Sequence, residues 1–169
     1  MAGEFDHPSC DNEYRRMLEV NVLGSVFPTR ACLPGMKAQA AQTGAGGRVV
    51  FVSSQVAQIA IHGYSAYGAS KWALRGLAEA LQMELKPLGI YVTVAYPPDT
   101  NTPGYEQEML DKPELTKIIS ESGTVFEATD VAHSIVDSSS KGCFGASVGL
   151  DGWLLKQGHP GMTPVNDLW

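Results

Sequence analysis

Apolar residues near the start of the chain recur at helical spacing. Met17, Leu18, Val20, Val22, Leu23, Val26 and Phe27 form one stripe within a segment from Asn12 to about Gln39. Pro28 and Pro34 fall inside it and are expected to kink or divide that helix, because proline lacks the amide and collides with the preceding turn. Glycine and short residues over Gln42 to Gly47 predict a loop, and Arg48-Val49-Val50-Phe51-Val52-Ser53 then reads as a buried strand. After a loop from Gln55 to Gly63, the Ala, Leu and Met content of Ser65 to about Leu85 predicts a second helix, ended by Pro87 and Gly89. Ile90 to Tyr96 is a second buried strand, stopped by Pro97-Pro98.

Further on, Thr102 to Gly123 is polar, carries Pro103 and Pro113, and predicts one or two small mobile helices forming a lid. Glu127 to about Ser140 is an amphipathic helix with Val131, Ile135 and Val136 expected toward the core. Gly145 to Leu150 reads as a last short strand, and the tail from Asp151 as irregular. Strands alternating with helices imply an α/β fold with a doubly wound parallel sheet, in one domain over residues 1–169.

Composition removes several function classes. The net charge is -6 with acids and bases interspersed, so the chain has no basic footprint for nucleic acid. Cys10, Cys32 and Cys143 are widely spaced, without a CxxC pair or a histidine cluster, which argues against a disulfide framework or a zinc site. The residues from Met1 to Cys10 lack the apolar core of a secretory signal, and no apolar run approaches the roughly 18 residues of a spanning helix.

The sharpest chemical signal is Tyr67-Gly68-Ala69-Ser70-Lys71 at a helix start, where a four-residue separation puts phenol and ammonium on one helical face. A phenol with a pKa near ~10 is a poor acid-base group at neutral pH, and a neighbouring cation is expected to draw that value down. Taken alone, such a pair is common on helix surfaces. Its context sharpens it: Ser53-Ser54 ends a buried strand and Tyr67 opens the next helix, so a strand-end hydroxyl converges on the phenol. Ligands of open α/β sheets bind beyond the carboxyl ends of strands, where both Ser54 and the Pro97-Pro98 turn fall. Either serine can face the crevice, since a one-residue change at the strand exit exchanges them.

These residues resemble the short-chain dehydrogenase/reductase family, in which a serine lies thirteen positions before the tyrosine of the YxxxK motif; here that position is Ser54. Asn21-Val22-Leu23-Gly24 is similar to the family's Asn-x-x-Gly segment on the preceding helix. The resemblance implies Ser54, Tyr67, Lys71 and Asn21 as the catalytic set, the Asn21 carbonyl holding a water that links Lys71 to solvent. It implies cofactor contacts from Tyr67, Lys71, Pro97, Pro98, Thr100 and Thr102. The second proline departs from the family's usual Pro-Gly.

Phe51 to Gln55, Arg75 to Glu84, Val94 to Thr100, Asp151-Gly152 and Gly161 to Val165 resemble more narrowly the branch that reduces the ketone of a long-chain sphingoid base. That resemblance implies NADPH as cofactor, a lipid substrate, a location at the cytosolic face of the endoplasmic reticulum, and a possible homodimer. Another reductase of a lipid-like ketone and a non-catalytic remnant are the alternatives. In that setting Met109, Leu110, Leu115, Ile118 and Ile119 of the lid are candidates to cover a hydrocarbon chain. No glycine-rich turn for a pyrophosphate precedes Asn21, so the chain is expected to be the carboxyl-side part of an incomplete Rossmann-like domain. Membrane association would then depend on segments outside it.

Overall fold

A computed structural model of the chain describes residue 5 and residues 10–158. Seven α-helices and five strands follow one another in these residues: α1 (Cys10–Met17), α2 (Gly24–Thr43), β1 (Gly47–Val52), α3 (Ser65–Leu85), β2 (Ile90–Tyr96), β3 (Thr100–Asn101), α4 (Pro103–Asp111), α5 (Glu114–Glu121), β4 (Phe126–Glu127), α6 (Ala128–Ser140), β5 (Gly145–Ser147) and α7 (Gly149–Gln157). The main sheet has the order β1-β2-β5 and is parallel throughout. Residues 161–165, part of the expected resemblance, lie outside the described residues.

The core sits on one face of this sheet. The register places Val49 beside Val92 and Phe51 beside Val94. With Ile90 and Tyr96 they form an apolar face that receives Leu74, Ala78 and Leu85 of α3, flanked by Leu33 and Met36 of α2. Each large side chain buried there stabilises the fold by about 1.5–3 kcal/mol. α6 covers the opposite face at β2 and β5, where Thr93 and Ala95 are fully buried. Arg48 reaches across from β1 to the carbonyl of Ser140 at 3.0 Å and stacks over Tyr91. Val50 and Val52, farther along that face of β1, are exposed.

The first helical segment departs from expectation in an informative way. Pro28 and Pro34 both lie inside α2 without dividing it. The irregularity is instead a π-helical turn, Leu18–Leu23, between α1 and α2, where the Gly24 amide reaches back to the Glu19 carbonyl. On either side of Pro28, the Ser25 and Thr29 hydroxyls donate to the Asn21 and Ser25 carbonyls, each at 2.7 Å, bonding those carbonyls from side chains one turn on. Of the apolar stripe, Met17 is buried, while Leu18, Val20, Leu23 and Phe27 are exposed.

Three smaller expectations are corrected. Val136 is exposed, because α6 meets the sheet through Val131 and leaves Val136 on its outer side. β5 stops at Ser147, and α7 starts at Gly149, left-handed against the Phe126 ring, and takes in the first residues of the tail expected to be irregular; the tail beyond Gly158 lies outside the described residues. The polar stretch after Thr102 forms two short helices, as expected, while its entry and exit strands, β3 and β4, pair in a second parallel sheet that no periodicity announced.

Candidate active site

The exits of β1 and β2 are tied together beyond the sheet. The Ser53 amide bonds the Ala95 carbonyl at 2.9 Å and the Gln55 amide bonds the Pro97 carbonyl at 3.1 Å, so the two loops form one rim. The strand-end serines diverge because extended backbone turns successive side chains to opposite sides. Ser53 is buried and its hydroxyl donates to the Lys71 carbonyl at 2.9 Å. Ser54, extended at φ -166°, caps a short 3-10 turn by accepting from the Val56 amide at 3.3 Å, and its hydroxyl is hydrogen-bonded with the Tyr67 phenol.

Tyr67 and Lys71 lie one turn apart at the start of α3. That start is fixed from outside: Gly63 adopts φ +79°, where a Cβ would stand 2.8 Å from Thr116 Oγ1, and the Thr116 hydroxyl donates to the His62 carbonyl at 2.9 Å. α5 thus holds the turn that aims Tyr67. Lys71 Nζ donates to the Val52 carbonyl at 2.9 Å and lies 5.5 Å from the centre of the Tyr67 ring. Asn21, on the π turn, donates through Nδ2 to Ser70 Oγ at 2.9 Å, linking that turn to α3 beside Lys71.

The electrostatics correct one expectation. Burial pushes the Tyr67 phenol above its ordinary value; the hydrogen bond with Ser54 lowers it, and the charges of Glu108 and Asp99 raise it further. Burial lowers Lys71. The drawing-down of the phenol by the ammonium, expected from the motif, is not among the influences that set its shift: burial dominates, and the acid charges act in the same direction.

All the catalytic and cofactor-contact residues anticipated from the sequence share one cavity of about 550 Å³. Asn21, Ser54, Tyr67 and Lys71 line it together with Pro97, Pro98, Thr100 and Thr102. The Thr100 hydroxyl donates to the Pro98 carbonyl at 2.8 Å, and Thr102 caps α4 by accepting from the Tyr105 amide at 3.1 Å. From the lid, Tyr105, Glu108 and Ile119 line the cavity, Ile119 staying partly open to solvent, whereas Leu110, Leu115 and Ile118 are exposed outside its lining.

A polar cluster on the lid side escaped sequence reasoning. The Tyr64 phenol donates to Glu108, and burial with that bond pushes Tyr64 far above the usual phenol range. Lys112, itself buried, lies 3.5 Å from Glu108, bonds Ser120 Oγ at 2.9 Å and sits over the Tyr105 ring. Asp99 accepts a hydrogen bond from the Tyr105 phenol. The four-residue spacing of Glu108 and Lys112 was a usable signal of pairing; that the pair is buried beside Tyr64 depends on the lid docking against α3.

Comparison with known proteins gives this geometry its relatives. The family pattern for short chain dehydrogenase matches residues 2–112. The chain is 49% identical over 168 residues to 3-dehydrosphinganine reductase of Danio rerio, covering 99% of this chain and 49% of that protein. It is 47% identical over 168 residues to 3-ketodihydrosphingosine reductase of Bos taurus, with 99% and 49% covered. The chain therefore spans about half the length of the curated relatives it matches. Among solved structures, a short-chain dehydrogenase from Streptomyces avermitilis superposes with a TM-score of 0.74 at 27% identity, over 93% of this chain and 60% of that one. A short chain dehydrogenase from Burkholderia cenocepacia in complex with NADP shares the fold, with a TM-score of 0.71 at 19% identity over 93% and 58%. With the motif residues converging at the strand ends and the family pattern spanning most of the chain, the chain belongs to the short chain dehydrogenase family.

Proposed function

We propose that this chain is the catalytic part of an NADPH-dependent reductase that converts the ketone of 3-ketodihydrosphingosine to the alcohol in sphingolipid synthesis. The observation that carries the reading is the convergence of Ser54, Tyr67 and Lys71 on one cavity at the carboxyl ends of β1 and β2. The names and identities of the relatives support the substrate.

The residues present fit the nicotinamide and ribose end of such a cofactor. The cavity lies beyond parallel strands, Pro97-Pro98 makes a rigid wall, and Lys71 with Thr100 and Thr102 supplies polar groups. When bound, NADPH supplies the hydride for the carbonyl carbon. Ser54 orients the ketone oxygen and stabilises the charge that develops on it. Tyr67 gives its phenolic proton to that oxygen, and Lys71 is placed to hold the ribose hydroxyls. Asn21 supports reprotonation through water, by way of a carbonyl that already receives the Ser25 hydroxyl.

A raised phenol pKa suits this direction of chemistry. Reduction needs Tyr67 protonated before the hydride arrives, and a nascent alkoxide is basic enough to take the proton. The reaction is placed at the cytosolic face of the endoplasmic reticulum, a reading supported by the lipid substrate; no helix among the described residues is long and apolar enough to cross a membrane. Pairing of two copies is supported by the exposed Val20, Phe27 and Trp72 on the first helices and α3. The lid over residues 102–123 is assigned to cover the substrate, with Ile119 as its apolar contact.

Tyr67→Phe in the full-length protein is expected to lower ketone reduction by about 10²–10⁴-fold while NADPH binding stays nearly intact. Turnover at the wild-type rate would remove Tyr67 from the chemistry.

A further inference from the structure

Asp99, Glu108 and Asp151 line the cavity, and the two whose charges act on the Tyr67 phenol differ in standing. Glu108 is compensated: it accepts from Tyr64 and lies 3.5 Å from the Lys112 ammonium. Asp99 accepts from a neutral donor, the Tyr105 phenol, and among the described residues no cation forms an ion pair with it. It follows Pro97-Pro98 on the rim, and its backbone carbonyl accepts the Phe126 amide at 3.0 Å, which fixes the loop. Its charge is near enough to raise the Tyr67 phenol. Arg16 and Lys71 also line this cavity, but neither forms an ion pair with Asp99, so at the Pro97-Pro98 rim the half-buried carboxylate is a local site for a positively charged group.

We propose that Asp99 is a specificity residue that binds an ammonium group carried by the substrate on the carbon next to the reacting ketone. This rests on the ketone-reductase reading above and deepens it. A 3-ketosphinganine carries a primary amine adjacent to its carbonyl, so a ketone oxygen held by Ser54 and Tyr67 puts the amine within the same cavity. The Pro97-Pro98 segment makes the carboxylate's position rigid, and the Tyr105 bond orients it. The amine takes no part in the hydride or proton transfer; it selects the substrate and fixes its register.

The test compares two long-chain ketones of equal length in the full-length enzyme with NADPH, one bearing the adjacent amine and one lacking it. For each, kcat/KM is measured in wild type, Asp99→Asn and Asp99→Glu, together with inhibition by a long-chain primary amine and by the matching alcohol. Wild type should prefer the aminoketone. Asp99→Asn should reduce that preference by about 10- to 100-fold, the range expected for loss of a charge-assisted hydrogen bond. The same change should weaken inhibition by the amine relative to the alcohol, and Asp99→Glu, which keeps the charge, should recover much of both. An unchanged preference ratio in Asp99→Asn, with both ketones slowed alike, overturns the assignment and leaves the reductase reading in place. Failure of wild type to reduce either ketone overturns the reductase reading itself.

Discussion

The two strand-end serines differ in partner, and that difference can be measured. Ser54 lines the cavity and is hydrogen-bonded with the Tyr67 phenol; Ser53 is 3% exposed and donates to the Lys71 carbonyl at 2.9 Å. Ser54→Ala removes the hydroxyl proposed to steady the developing oxyanion, a loss of about 10²–10³-fold in kcat, or roughly 3–4 kcal/mol of transition-state stabilisation. It also removes an interaction that lowers the Tyr67 pKa, so the phenol moves still higher. Its stability cost is small, because the cap to the Val56 amide is long at 3.3 Å; about 0.5–1 kcal/mol is expected. Ser53→Ala reverses the pattern. It removes a buried bond worth about 1 kcal/mol, which lowers Tm by roughly 2–4 °C in a protein of this size or larger, and kcat falls less than about fivefold. Steady-state ketone reduction and thermal unfolding, measured on both variants of the full-length protein, separate the two. Equal loss of turnover in both variants, or a kcat within about threefold of wild type in Ser54→Ala, would refute the assignment.

Lys71→Met should lower turnover by about 10²-fold or more and weaken cofactor binding. Its Tm should stay level or rise, because burial opposes the charged amine; a fall in Tm with turnover intact would mark Lys71 as structural. Tyr96 is pushed up to about 12, mainly by burial, so the folded state holds its proton after the unfolded chain has lost it, and stability falls as pH rises from about 10 to 12. Urea unfolding of Tyr96→Phe should show a flatter alkaline limb than wild type, and parallel limbs would contradict this. Ketone reduction should persist until pH passes the raised Tyr67 value, above 10, while oxidation of the alcohol should rise through that same pKa. A reduction limb falling well below pH 10 would assign the proton to another group.

The alternation of elements and the catalytic motif were legible because both are local. Ser65–Leu85 and Ile90–Tyr96 are bounded by Pro87, Gly89 and Pro97, residues whose backbone chemistry ends an element wherever it sits. A four-residue separation puts Tyr67 and Lys71 on one helical face regardless of tertiary context. What escaped depends on contacts between distant segments. The π turn at Leu18–Leu23 is linked by Asn21 to Ser70, forty-nine positions away. The pairing of Thr100 with Phe126 joins strands too short to show a period. The sign of the Tyr67 shift was missed for the same reason. The motif displays the cation, whereas burial and the charges of Asp99 and Glu108 come from the β2 exit and the lid.

Those opposing influences give the site its direction. Burial raises the phenol and lowers the amine, so each is moved away from its charged form. The proton therefore stays on Tyr67 until a stronger base appears beside it. The reacting ketone creates that base, because an alkoxide forms only as hydride reaches the carbonyl carbon. Asp99 and Glu108 reinforce the phenol's hold on its proton, and a positively charged substrate group beside Asp99 would offset part of that field as it binds. On this account the acid is least ready to ionise when no aminoketone is present, and substrate binding adjusts the proton donor that its own reduction requires.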